Sequence, residues 1–146
     1  RVAFGSLQEG YLESTMNEID DSTTRIAEVS LNPTPAAPGD ARRFVSEVLS
    51  GHQAVESAKL IISELVTNAV LHGGRDAGHV TVVIGRETEH DRIRLEVSQA
   101  SHVGFHHRDQ DPGHLEPTGR GLMIVDAVAS EWGIDEHTGS VWAAIG

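Results

Sequence analysis

Apolar positions set the first divisions of this chain. In "RIAEVSL", Ala27, Val29 and Leu31 alternate with Arg25 or Ile26, Glu28 and Ser30, which predicts a half-buried strand from about residue 25. "NPTPAAPGD" then breaks the pattern with three prolines and a glycine, and Asp40 is placed to cap the helix that "ARRFVSEVLS" opens and Gly51 closes. A second helix runs from about Ala54 to the glycine pair at 73 and 74. "HVTVVIGRE" and "DRIRLEVSQ" are strands joined by the polar "TEHD". In the second, Ile93, Leu95 and Val97 alternate with Arg92, Arg94 and Glu96, so one sheet face is covered and the other wet. Neither period appears over residues 101–118. "GRGLMIVDAVASEW" reads as a helix entered on two glycines, and "GSVWAAI" supplies a last strand. The order β-α-α-β-β-loop-α-β predicts an α/β two-layer sandwich, a mainly antiparallel mixed sheet with helices on one face. Residues 1–24 are polar and weakly periodic, a loosely held arm before a domain spanning 25–146.

The second helix carries an anomaly. At about 100° per residue, Glu64, Asn68 and His72 fall in one row. Leu60 and Leu71 flank that row on one side, and Ile61, Leu65 and Ala69 on the other. Lys59, Ser63 and Thr67 take the side expected to face water. A carboxylate and an amide set among apolar neighbours are unfavourable unless paired, ligated or used. Two arrangements satisfy them. One is a closed polar network at the helix end. The other is a metal-nucleotide site, in which the Asn68 oxygen ligates a hard cation such as Mg²⁺ and Glu64 orients or deprotonates a hydroxyl. His72, beside the helix-ending glycines, reads as a capping or core histidine.

Composition narrows the classes. The chain has 146 residues, with Lys+Arg of 11 against Asp+Glu of 22, for a net charge of −11. That charge repels phosphate backbones and argues against direct nucleic-acid binding. Cysteine is absent from the sequence, and so are an apolar run of spanning length and a signal-peptide pattern, which predicts a cytoplasmic protein without a membrane partner. The first residue is Arg1 rather than methionine, and Met16 is a candidate start.

Two further stretches carry candidate chemistry. The aperiodic segment 101–118 holds His102, His106, His107 and His114, whose spacing matches no defined zinc pattern, and its length suits a lid. In "TGRGLMIV", Gly119 and Gly121 permit close backbone approach, and the helix start that follows favours phosphate. By itself that motif also suits an ordinary flexible turn.

The motifs are more specific in combination. Glu64, Asn68 and "HG" on one helix, then a hairpin, "VSQAS", a long loop, "GRGL", a helix with "WG" and a terminal "GSVW" resemble, in order, the GHKL-type (Bergerat) ATP-binding fold. The similarity is to small actinobacterial ATP-binding regulators related to anti-sigma factor serine/threonine kinases, over about residues 25–146, with "GRGLMIVDAVASEWGI" as a subgroup feature. The resemblance implies Glu64 as catalytic base and Asn68 as Mg²⁺ ligand. It implies Gly119, Arg120 and Gly121 as the glycine-containing edge of the ATP lid, and Ser140 as a hydroxyl near adenine. It also implies ATP and Mg²⁺ as cofactors. The protein partners it implies are a sigma factor and an anti-anti-sigma (STAS-like) substrate, with room for a homodimer. One position departs: Gln99 stands where the family pattern has an aspartate that accepts from the adenine amino group. Gln99 keeps an acceptor oxygen but is longer and uncharged. An alternative function is therefore a non-enzymatic protein-binding module with a weakened nucleotide site.

Overall fold

A computed structural model of the chain describes residues 23–73, 77–101, 120–135 and 137–146. Its elements are β1 (Thr23–Leu31), α1 (Ala37–Val48), α2 (Val55–His72), β2 (Ala77–Glu87), β3 (Arg92–Ser101), α3 (Arg120–Val128), β4 (Glu131–Ile134) and β5 (Val141–Ile145). Among the described residues five strands form one sheet in the order β1-β2-β3-β5-β4, and all four pairings are antiparallel, where a mixed sheet was expected. Together with the helices this is the two-layer α/β sandwich. No helix among the described residues is long and apolar enough to cross a membrane.

The core lies between sheet and helices. Val80, Val82 and Ile84 of β2, Ile93, Leu95 and Val97 of β3, and Ala143 and Ile145 of β5 face Val45 of α1, Ile61, Ile62, Leu65 and Val66 of α2, and Val125 of α3. Strict alternation in β1 fails at one point. Arg25 pairs with Gly85 and Ala27 with the adjacent Ile84, so Ile26 is an extra residue on its strand and packs against the core beside Ala27. Strand β1 also takes up Thr23 and Thr24, which the sequence pattern had assigned to the arm; residues 1–22 lie outside the described part.

Two element boundaries differ from expectation. Helix α1 begins at Ala37 rather than after Asp40, with Pro38 in its first turn. A proline there sacrifices only an N–H that has no intrahelical partner, so the helix starts a turn early. The Thr34 carbonyl accepts from Ala37 N at 2.9 Å and Thr34 Oγ1 from Ala36 N at 3.2 Å, while Asp40 pairs with Arg43 instead of capping.

The last helix stops at Val128, not Trp132. Glu131–Ile134 is instead the edge strand β4, paired with β5 from Glu131↔Ala144 to Ile134↔Val141. The ladder partner prevails over the local helical pattern. Gly133 suits this edge because the Trp142 ring lies across it, and a Cβ at Gly133 would sit 3.1 Å from a ring carbon.

Candidate functional site

Helix α2 places the polar row at the margin of the core rather than inside it. Ile61 and Leu65, on one flank, are buried, whereas Leu60 and Leu71, on the other, are 43% and 61% exposed. Asn68 takes the inner position at 7% exposure, Glu64 one turn earlier is half-buried, and His72 one turn later is exposed. The row thus climbs out of the core toward the helix ends. An i,i+4 spacing keeps the Glu64 and Asn68 side chains within about 5–6 Å of each other at Cβ.

The supposed water-facing side of α2 is half-buried beside α1. Arg42 Nη1 donates to Ser63 Oγ at 2.6 Å, and Thr67 Oγ1 donates to the Ser63 carbonyl at 2.6 Å. The first joins α2 to α1, and the second lies within α2 itself.

Gln99 comes to the C-terminal end of the same helix. Two residues beyond Val97 on β3, it points to the helix-bearing side of the sheet, and its Nε2 donates to the Gly78 carbonyl at 3.2 Å. Its carboxamide lies against Gly73, the C-cap of α2, where a Cβ would meet Gln99 Oε1 at 2.4 Å. Glu64, Asn68 and Gln99 therefore share one side of the sheet, with Gln99 at the end of α2 toward which Asn68 also lies.

Ser140 is not part of that group. Its hydroxyl, 1% exposed, donates to Glu96 Oε2 at 2.8 Å and lies 2.8 Å from Thr138 Oγ1. Glu96 belongs to the wet face of β3, so Ser140 is on the opposite side of the sheet from Gln99. Arg120 and Gly121 open α3, but their side chains, Gly119, the lid segment 102–118 and its four histidines lie outside the described residues. Among the described residues no group of three or more His, Asp or Glu could hold a metal ion.

The wet face has a structure the sequence pattern did not single out. It forms an open groove of about 430 Å³ lined by Arg25, Glu87, Arg92, Arg94, Glu96 and Trp142, among others. Glu87 is only 6% exposed; its carboxylate bonds Arg92 at 2.7 Å and lies 3.7 Å from Arg94. Arg92 also reaches Glu131 at 3.1 Å, and the Arg94 guanidinium lies 4.2 Å from the Trp142 ring centroid. The hydrogen bond to Glu87, followed by that to Glu131, raises the Arg92 pKa above its ordinary value against the opposing effect of burial. The Glu87↔Arg92 pairing was available from the hairpin register, since these residues flank the "TEHD" turn. The contact of Gly73 with Gln99 had no local signal, because 26 positions separate them.

Comparisons with known proteins bear on the family and the fold. The serine-protein kinase RsbW of Staphylococcus aureus strain bovine RF122 / ET3-1 is 27% identical over 96 residues, a match covering 58% of this chain and 60% of that protein. The same values hold for the RsbW protein of strain MRSA252. The chain thus spans about 60% of the length of these relatives. Among solved structures, the RsbU and RsbW domains of Rv1364c from Mycobacterium tuberculosis align with a TM-score of 0.54 and 22% identity, over 81% of this chain and 30% of that one. That alignment supports the fold alone. The model of the histidine kinase-like ATPase domain matches residues 31–145, and the chain belongs to that family.

Proposed function

We propose that this chain is an ATP- and Mg²⁺-dependent serine protein kinase of the anti-sigma type, which also regulates by binding its partners. The observation that carries this reading is a buried Asn68 with a half-buried Glu64 one turn away at the open margin of α2. The residues suit the ligand. Mg²⁺ commonly takes one or two protein oxygens and completes its shell with phosphates and waters. A single Asn68 oxygen, with no carboxylate cage among the described residues, is consistent with that habit.

Bound Mg-ATP supplies the transferable phosphoryl group and the metal charge that steadies its oxygens. Glu64 accepts the proton of the substrate serine hydroxyl as the serine oxygen bonds to the γ-phosphorus. The bond from that phosphorus to the bridging oxygen breaks, ADP leaves, and the proton remains on Glu64 until solvent removes it. Gly119, Arg120 and Gly121 would meet the phosphates.

The partners proposed are an anti-anti-sigma (STAS-like) protein as phosphoryl acceptor and a sigma factor as binding target, with a cytoplasmic location and room for a homodimer. The name of the relatives, serine-protein kinase, supports a protein serine as the acceptor, and the net charge of −11 disfavours DNA itself.

Gln99 favours a second reading, a protein-binding module that no longer uses nucleotide, because a neutral amide loses the charge-assisted bond to adenine. Calorimetric titration with ATP, with and without Mg²⁺, separates the two. Saturable, Mg²⁺-dependent binding supports the kinase, and no heat at millimolar nucleotide supports the module.

A further inference from the structure

Among the described residues the large apolar side chains that stand exposed are Leu60, Leu71 and Met123, and all three belong to α2 and α3. Apolar residues scattered singly over a surface need no explanation. These gather on the two helices that carry the candidate site, while α1 and the wet face of the sheet present none.

Leu60 is distinguished by its place relative to Glu64. Glu56, Leu60 and Glu64 are spaced by four residues, so they follow one another along α2 with about 5.4–6 Å and about 40° between successive members. Leu60 is the first exposed side chain on the N-terminal side of Glu64, and Glu56, 82% exposed, is the next. Lys59 lies beside this row, 3.7 Å from the Glu56 carboxylate.

The order of Glu64 and Asn68 gives the row a direction. In phosphoryl transfer the metal bridges the β- and γ-phosphates, and the attacking and leaving oxygens lie roughly in line through the phosphorus. A cation held by Asn68 therefore puts the leaving nucleotide on the C-terminal side of Glu64, where Leu71 also lies. The attacking hydroxyl must arrive from the other side, over Leu60 and Glu56. Two carboxylates bracket Leu60 in a chain of net charge −11, so a segment complementary to this stretch carries an apolar side chain and a cation.

Resting on the kinase reading above, we propose that Leu60 and Glu56 dock the acceptor protein through an extended segment with an apolar residue two positions, and a basic residue four positions, from the serine that is phosphorylated. Residues at those positions of an extended chain share one side, at about 6.6 Å and about 13 Å from the serine. The rise of α2 from Glu64 to Leu60 and to Glu56 is similar, about 6 Å and about 12 Å. Leu60 covers the apolar side chain and Glu56 meets the cation, away from the nucleotide.

The probes are glycine-rich peptides containing Lys-Gly-Leu-Gly-Ser or the reversed Ser-Gly-Leu-Gly-Lys, with controls in which glycine replaces the leucine or glutamate replaces the lysine. Transfer from radiolabelled Mg-ATP is measured with the whole chain, with Leu60→Ala and with Glu56→Lys. For at least one order, the leucine peptide should have a KM about threefold to tenfold below that of its leucine-free control, the scale of covering the exposed part of one leucine. Leu60→Ala should remove that difference while kcat and ATP affinity stay unchanged. Glu56→Lys should raise the KM of the lysine peptide and lower that of the glutamate peptide, each by about twofold to fivefold at low ionic strength and less in salt. This second variant carries the test if Leu60→Ala does not fold.

Transfer that ignores the leucine, an unchanged KM in both variants, or bound Mg-ATP with no transfer to any peptide overturns the docking proposal and leaves nucleotide binding standing. A dimer in sedimentation that Leu60→Ala converts to monomer assigns this face to a second copy of the chain and overturns it too. No nucleotide binding by the wild type removes the kinase reading and the docking proposal with it.

Discussion

Ser140 gives its hydroxyl hydrogen to Glu96 across 2.8 Å, on the face of the sheet turned away from the described helices. Gln99, three positions from Glu96 on the same strand, has the opposite parity and faces the helices. Motif order along the chain put Ser140 and Gln99 near the same ligand edge. Strand parity separates them.

Ser140→Ala is therefore expected to leave nucleotide affinity unchanged while lowering stability. The hydroxyl is buried and serves both Glu96 and Thr138, so its loss should remove about 1–2 kcal/mol, read as a lower denaturant midpoint at constant slope. A fall in ATP affinity with unaltered stability would instead return Ser140 to the adenine side.

Glu87→Ala should be the more damaging change on that face. Its carboxylate is shared by Arg92 and Arg94, and among the described residues Arg92 keeps the outer ion pair to Glu131 once Glu87 is gone. A loss of about 1.5–3 kcal/mol is expected, the range for a hydrogen bond to a charged group. Arg92 is 16% exposed at its side chain, so water can repay only part of that. Thermal unfolding of Glu87→Ala and Glu87→Gln, compared in low and high salt, tests it. Identical midpoints for wild type and Glu87→Ala would make the pair energetically idle.

The parts of this molecule that sequence pattern located correctly are those whose periodicity is set by one buried face. Val97 and Leu95 against Arg94 and Glu96 declare a strand with a wet side, and Ile61 and Leu65 declare the inner flank of α2. Features decided by distant chain were not visible. Nothing near Trp132 announces that β5 will pair with it, and the helical spacing of "MIVDAV" runs on past the true end at Val128. The arc around Glu64 looked apolar on both flanks, yet Leu60 and Leu71 stand exposed. Burial depends on what packs against a side chain, and spacing gives only its direction.

Glu64→Ala should abolish phosphoryl transfer to a protein acceptor while changing ATP affinity by less than about threefold, because a base acts in the transition state and adds little to ground-state binding. Glu64 is half-buried at the helix margin, so a stability change within about 1 kcal/mol is expected. Radiolabel transfer, calorimetry and thermal melting on one preparation decide it. A large loss of stability together with lost nucleotide binding would mark Glu64 as a structural carboxylate.

Asn68→Ala should uncouple nucleotide from metal. If its oxygen completes the cation's shell, the wild type binds ATP more tightly with Mg²⁺ than without, and the variant binds it about equally in both conditions. Asn68→Asp keeps an oxygen at the same reach and should retain the Mg²⁺ effect. Persistence of the full effect in Asn68→Ala would move the metal elsewhere.

Gln99→Asp is the change that speaks most directly to the site's chemistry. A carboxylate has no N–H to donate to the Gly78 carbonyl, so the 3.2 Å bond is lost, and the shorter side chain opens space beside Gly73. In exchange the site gains a charged acceptor, and a charge-assisted bond to an amino group contributes roughly 1.5–3 kcal/mol against about 1 for the neutral bond it replaces. The difference predicts ATP binding tighter by about threefold to thirtyfold. GTP, with a carbonyl at the corresponding edge, should bind more weakly because a carboxylate has no donor to offer it. Both shifts must appear together. A variant that folds and leaves ATP and GTP affinities unmoved would show that Gln99 does not face the base, since an acceptor in contact with a purine cannot change in charge and length without effect.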